Sequence, residues 1–188
     1  MPDLPPPYAV ARLLRSRRTI HLFEPEPPPK EIVLRGLDLA RWAPNHRLTE
    51  PWRFHLLGPE TAAAVVELNA ELVEAARGTT AAEAKRERWA AIPGWLVVTC
   101  AVADDPVRAR EDYAACCCAV QNLQLYLWSA GLGVKWTTGA VTRTAAFYDL
   151  LGLDPEAHTV VGMLWYGTPA DIPETQRRPL GDVLTRLP

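Results

Sequence analysis

One stretch limits the choice of fold more than any other. In residues 111–131, EDYAACCCAVQNLQLYLWSAG, apolar side chains at 113, 116, 120, 123 and 127 keep helical spacing, and most positions between them are apolar too. A surface helix keeps one polar side toward water. A helix apolar nearly all round must be covered on every side, by a core or by another subunit. Gly131 supplies a helix stop. The flanking runs narrow the choice further. WLVVTCAVA, residues 95–103, is nearly all apolar and reads as a central strand buried on both faces. HTVVGMLWYG, residues 158–167, reads as a second apolar strand. A buried helix between two buried strands implies a layered α+β or α/β domain.

The remaining elements fit around that centre. Residues 8–16 form a short helix with Val10, Leu13 and Leu14 on one face. EPEPPP, residues 24–29, is a stiff connector, because proline fixes φ and removes a donor. In the next helix Val33, Leu37 and Ala40 share a face, and Pro44 ends it near Ala43. WRFHLLG, residues 52–58, alternates as a strand does, and residues 61–91 form one or two helices broken near RGTT, 77–80. GVKWTTGAV is a strand leading into a loop, followed by a short helix over 142–151 with Thr142 as its N-cap. The tail is extended and then briefly helical.

At 188 residues and 48% apolar, the chain suits a single domain, 1–188, with a sizeable core. A net charge of -2 and scattered Lys and Arg argue against nucleic acid or an acidic membrane surface. No basic n-region precedes an apolar run at the N-terminus, so no signal peptide is expected. No apolar run approaches the roughly 20 residues of a membrane helix. Three of the four cysteines, Cys116, Cys117 and Cys118, are contiguous. On a helix they diverge by about 100° per residue, so they cannot converge on a metal and read as small buried hydrophobes. A cytoplasmic protein without a metal site is the expectation.

Familiar catalytic motifs are missing. There is no GxGxxG, no GxxxxGK[ST] and no GxSxG. His21, His46, His55 and His158 form no ligand pair. Asp104–Asp105 and Glu111–Asp112 read as carboxylates at a helix start. The chain offers no nucleophile, base or metal of its own, which leaves the chemistry to a cofactor.

Four segments could hold one. RSRRTIHLF supplies Arg17 and Arg18, planar forks suited to phosphate, and the Thr19 hydroxyl. RWAPNHRLTEPWRF, residues 41–54, brings Trp42 and His46 to what is otherwise a loop. KWTTGAV offers Trp136, Thr137, Thr138 and Gly139, where backbone can approach a ligand closely. RRPL adds Arg177 near the end.

The order of these motifs resembles the FMN-dependent nitroreductase family, over about residues 13–183. The family's "RRS" with a basic residue and an aromatic is matched by RRTIHLF. Its "AP" followed by "QPW" is matched by APNHRLTEPW, its "GLG" and "W" by SAGLGVKW, and its "G-x-P" and "R-x-P-L" by GTP and RRPL. The resemblance implies a three-layer α+β fold, a central mixed or antiparallel sheet flanked by helices. It implies a homodimer with the long buried helix at its interface and two shared FMN sites. Arg17, Arg18 and Thr19 would bind phosphate and ribityl oxygens, with Arg177 assisting. Trp42 and His46 would reach the partner's flavin. Trp136, Thr137 and Thr138 would run along the isoalloxazine, with backbone donors near N5 from Thr138 to Gly139.

The implied activity is transfer of hydride from NAD(P)H through flavin to an electron-poor acceptor: a nitroaromatic, quinone or activated alkene. Competing functions are a flavin-dependent dehalogenase, a flavin-consuming enzyme, or a flavin-binding protein of low turnover. Three departures from the family pattern stand out. Thr19 replaces a serine. His21 stands where many members have a fixed cation near the flavin pyrimidine, and a histidine supplies that charge only when protonated. Glu50 replaces a glutamine before PW.

Overall fold

The two apolar runs pair with each other at the centre of a four-stranded sheet. In the computed structural model, which describes residues 4–188, the strands are β1 (Trp52–Leu56), β2 (Trp95–Ala101), β3 (Gly133–Thr137) and β4 (His158–Gly167). Their spatial order is β1-β2-β4-β3, and every pair is antiparallel. Of the two sheet types the resemblance implied, the antiparallel one is therefore observed. A parallel contact remains in the isolated bridge between Thr19 and Val134.

Helices cover both faces. α1 (Pro7–Ser16), α2 (Lys30–Ala40) and α5 (Pro106–Ser129) lie on one side. α3 (Pro59–Arg77), α4 (Thr79–Ala90) and α6 (Ala145–Leu151) lie on the other. Strand alternation divides the core accordingly. Leu96, Val98, Val134 and Leu164 face α5, while Trp95, Val97, Met163 and Trp165 face α3 and α4. On the α4 side Trp89, Trp95 and Trp165 meet edge-on, with centroids 5.0–5.8 Å apart. Such pairs contribute about 0.5–1.5 kcal/mol each beyond burial. On the α5 side, Gly36 lets α2 cross closely: a Cβ there would stand 2.9 Å from Leu123 Cδ1.

Half of the reading of α5 as a helix covered all round is met within the chain. Ala115, Cys116, Ala119, Val120, Leu123 and Leu127 are buried. Ala114, Cys118 and Gln121, on the other side, are exposed, as is Tyr113 at 40%. Cys116 is thus a small buried hydrophobe as expected, and Cys118 is not.

Several boundaries differ from expectation for local reasons. α2 ends at Ala40, not Ala43, because a turn with Trp42 N–H to Leu39 O intervenes before Pro44. α5 starts five residues earlier, at Pro106, where the Asp105 carboxylate accepts from Val107 N–H at 2.8 Å. Asp105 is therefore the N-cap, whereas Glu111 and Asp112 lie inside the helix and do not begin it. α6 is capped by Thr144, whose hydroxyl accepts from Phe147 N–H, not by Thr142. Thr142 instead donates to Gly139 O and closes a short 3-10 turn. The break between α3 and α4 falls at Gly78, φ 83°.

A bulge in β4 lies beneath the Trp136 ring. Register with β2 shifts between Val98 and Thr99, leaving Val161 as an extra residue beside Gly162. The Trp136 indole lies across Gly162 and donates to Val161 O at 3.3 Å; a Cβ at 162 would fall 2.1 Å from Trp136 Nε1. Gly162→Ala must displace that ring. The expected cost is about 1–3 kcal/mol, as for overpacking elsewhere, read as a lower urea midpoint with unchanged slope. An unchanged midpoint would show that Trp136 has room to move.

Candidate functional site

The first candidate segment is held in place by what surrounds it. α1 ends at Arg17, where ψ turns to 132° and the chain becomes extended. The Trp128 indole of α5 donates to Ser16 Oγ at 2.9 Å and fixes that end. Three residues on, Ile20 is fully buried, packs where Gly133 lacks a side chain, and donates its N–H to Val134 O at 3.2 Å. Arg17, Arg18 and Thr19 are thereby strung along the outer edge of β3. Leu22 and Phe23 continue beside residues 168–170, and the tail folds back to bring Arg177 to the same place.

Two adjoining clefts open there and share Arg17 and Thr19. One, about 220 Å³, is lined by Arg17, Arg18, Thr19, His21, Glu174 and Arg177, among others. The other, about 410 Å³, is lined by Arg17, Thr19, Gln121, Gln124, Trp136 and Thr138. Arg17 reaches the Gln124 side-chain oxygen at 3.4 Å. Among the described residues, no carboxylate pairs with Arg17, Arg18 or Arg177. Burial lowers the Arg17 pKa first, and the like charges of Arg177 and Arg18 lower it further. Three guanidinium groups around one cleft with a single carboxylate, Glu174, and no ion pair among them suit an anion such as phosphate. The His21 pKa is also lowered, by burial and then by Lys135 and Arg88. That shift favours the neutral ring, which supplies no fixed charge.

Of the residues expected from sequence, Arg17, Arg18, Thr19, Trp136, Thr138 and Arg177 come together. Thr137 and Gly139 do not; they line a separate cleft, because Thr137 points to the opposite face of β3 from its neighbours. The main-chain N–H groups of Thr138 and Gly139 find no acceptor among the described residues.

Trp42 and His46 are also elsewhere within the chain. Trp42 is 72% exposed. His46 Nδ1 lies 3.0 Å from the Glu111 carboxylate near the start of α5, whereas Arg17 meets Gln124. Thirteen residues of helix separate those two anchor points, about 20 Å.

The loop carrying His46 is strained and pinned. Arg47, Leu48 and Glu50 all have positive φ, 56°, 53° and 43°. Such backbone costs energy and persists only where its surroundings hold it. The Thr49 hydroxyl donates to buried Asp112 at 2.6 Å, and Glu50 N–H donates to the Asn45 side chain at 2.9 Å. Glu50 is thus part of how the loop is built.

Sequence reasoning missed Gln121 and Gln124, which line the second cleft, and the Thr49–Asp112 bond. Two amides three residues apart on an otherwise apolar helix were the available signal; Asp112 offered none. A larger cleft, about 610 Å³, lies between α3, α4 and Tyr166, away from Arg17, Arg18 and Arg177. Its two charged wall residues, Glu67 and Arg86, pair with each other at 2.9 Å, so it offers volume with little polar selectivity. No helix among the described residues is long and apolar enough to cross a membrane, and no group of three or more His, Cys, Asp or Glu is placed to hold a metal.

Known proteins resemble the chain in sequence and in fold. A Bacillus subtilis protein named "Putative NAD(P)H nitroreductase YfhC" is 33% identical, over 93% of this chain and 92% of its own length. The crystal structure of a nitroreductase-like family protein from Bacillus cereus superposes with a TM-score of 0.84 at 29% identity, covering 100% of this chain and 98% of that one. A "putative nitroreductase" of Desulfovibrio desulfuricans, solved in complex with FMN, has the same fold: TM-score 0.76, 24% identity, 98% and 99% coverage. The sequence profile of the Nitroreductase family matches residues 14–168, from the helix that presents Arg17 through the end of β4. By that match the chain belongs to the Nitroreductase family.

Proposed function

We propose that the chain is an FMN-dependent oxidoreductase that takes electrons from NAD(P)H and delivers them to an electron-poor small molecule. The observation that carries this reading is the convergence of Arg17, Arg18 and Arg177 without a carboxylate partner beside two joined clefts. The relatives' names and the FMN in the Desulfovibrio protein support it. The residues present suit the cofactor: arginines for the phosphate, Thr19 and the two glutamines for ribityl hydroxyls, and Trp136 with Thr138 along the ring. The free N–H groups of Thr138 and Gly139 would serve as donors to the ring's edge. When bound, flavin supplies two-electron transfer between nicotinamide and acceptor.

The reading includes a homodimer. The chain exposes 12,067 Å², about 3,000 Å² more than a compact monomer of its size. Tyr8, Leu14, Trp42, Leu48, Leu180 and Leu187 are all exposed apolar side chains. Obligate homodimers bury areas of that order and are more hydrophobic than transient pairs. The bare side of α5 fits this too. If two copies of α5 pack antiparallel about a twofold axis, the Glu111 end of one lies opposite the Gln124 end of the other. Residues 117 and 118 would lie at the axis. Trp42 and His46, distant from Arg17 in their own chain, would then approach Arg17 of the partner.

Two measurements test the cofactor. Protein purified from cells should be yellow, and heat release followed by chromatography should yield one FMN per chain; FAD, or no flavin after reconstitution with excess FMN, contradicts the reading. Arg17→Glu should weaken FMN binding at least ten- to a hundredfold, since a hydrogen bond to a charged group contributes about 1.5–3 kcal/mol before repulsion is added. Unchanged affinity would leave Arg17 a solvated helix-end residue. Steady-state NAD(P)H oxidation with a nitroaromatic or quinone then separates an enzyme from a flavin carrier of low turnover.

A further inference from the structure

Among the described residues, the non-glycine positions with positive φ are Arg47, Leu48 and Glu50, all in one loop. Three bonds hold that loop. Thr49 Oγ1 donates to Asp112, Glu50 N–H to Asn45 Oδ1, and Asn45 Nδ2 to Ala43 O. The side chain set between them is His46, whose Nδ1 lies 3.0 Å from Glu111 Oε2. Glu111 and Asp112 are neighbours on α5, so one turn of helix anchors both His46 and Thr49. Asp112 also meets Arg108 at 3.6 Å, whereas Glu111 pairs with His46 alone among the described residues.

An exposed ion pair stabilises a fold little. Left-handed backbone at three non-glycine residues costs more than such a pair offsets, and strain of that kind collects at functional sites. The pair does have a chemical consequence. A carboxylate beside Nδ1 keeps the hydrogen on that nitrogen and leaves Nε2 free to exchange a proton. The His46 side chain is 58% exposed, so the ring stays open to a ligand.

We propose that His46, oriented by Glu111, is the proton donor to the acceptor in the partner's flavin site. This inference rests on the FMN-binding dimer proposed above. Two-electron reduction of a quinone adds one hydride and one proton and gives the hydroquinone. The hydride comes by way of the flavin. Nε2 of His46 takes a proton from water and passes it to the quinone oxygen. Glu111 keeps its charge throughout and acts as a positioning residue. Its neighbours are poor proton donors: Arg47 keeps its proton at neutral pH, and the Thr49 hydroxyl is engaged by Asp112. The site therefore favours acceptors that take up a proton on oxygen, quinones and nitro groups, over those that take electrons alone.

Two readouts test this. In full-length protein labelled with ¹⁵N-histidine, at a pH where the ring is neutral, His46 should be mainly the Nδ1–H tautomer. Glu111→Ala should shift it toward Nε2–H, and Glu111→Gln, whose amide oxygen still accepts, should hold it. Turnover of a quinone is then compared with that of ferricyanide, which takes up no proton, in FMN-loaded dimers. The quinone-to-ferricyanide ratio of kcat should fall roughly a hundredfold in His46→Gln, the smaller end of what a positioned acid contributes. Glu111→Ala should lower the ratio less, and Glu111→Gln should restore it. If His46→Gln does not load FMN, Glu111→Ala carries the comparison. A wild-type chain without FMN overturns the function proposed above and this role with it. An FMN-loaded wild type whose ratio is unchanged in the variants overturns the proton donor alone and leaves the flavin reading standing. Equal tautomer populations in wild type and Glu111→Ala would overturn the role of Glu111.

Discussion

The cover that α5 requires organises the rest of the structure. One side of this 24-residue helix packs against β2, β3 and α2, and that packing decides which face of the sheet is which. It brings Gln124 under Arg17 and ties the end of α1 through Trp128. At its other end it holds the strained loop through Glu111 and Asp112. The remaining side, Ala114, Cys118 and Gln121, stays bare within one chain. Apolar surface on a buried-type helix costs free energy in water, and in the proposed dimer a second chain would cover this side.

Electrostatics make a second demand. Arg17, Arg18 and Arg177 are gathered from the two ends of the chain, and none of them is in an ion pair among the described residues. Keeping them together costs repulsion and desolvation, which burial of Arg17 deepens. In the proposed FMN site, the cofactor's phosphate would offset that cost. Folding thus builds the site by pinning backbone: Ile20 against Gly133, and Trp136 against Gly162. The charges ride on those fixed points.

Much of this was legible in the sequence, for identifiable reasons. Buried strands and α5 announce themselves through apolar runs too long to lie on a surface. The order RRTIHLF, APNHRLTEPW, GLGVKW and RRPL pointed to the family. What was not legible was local or long-range. Thr142 and Thr144 are equally good N-caps on paper, and only the 3-10 turn at Ala140–Arg143 decides between them. The opposite facing of Thr137 and Thr138 follows from the strand period but needs the strand's extent to be known. Asp112 pairs with Thr49 across 63 residues of sequence, and no local pattern carries such a bond. Asn69 looked like one more polar residue on a charged helix until its side chain proved buried.

The central claim is that each flavin site is built from two chains, Arg17 from one and His46 from the other. Co-expression of an Arg17→Glu chain with a His46→Trp chain, followed by isolation of the mixed dimer, tests it most directly. Each variant alone should fold and bind FMN poorly. In the mixed dimer one site collects both defects and the other has neither. The account predicts one FMN per mixed dimer, bound with near wild-type affinity. Failure to recover any tight site would contradict it, as would normal FMN binding by the His46→Trp homodimer.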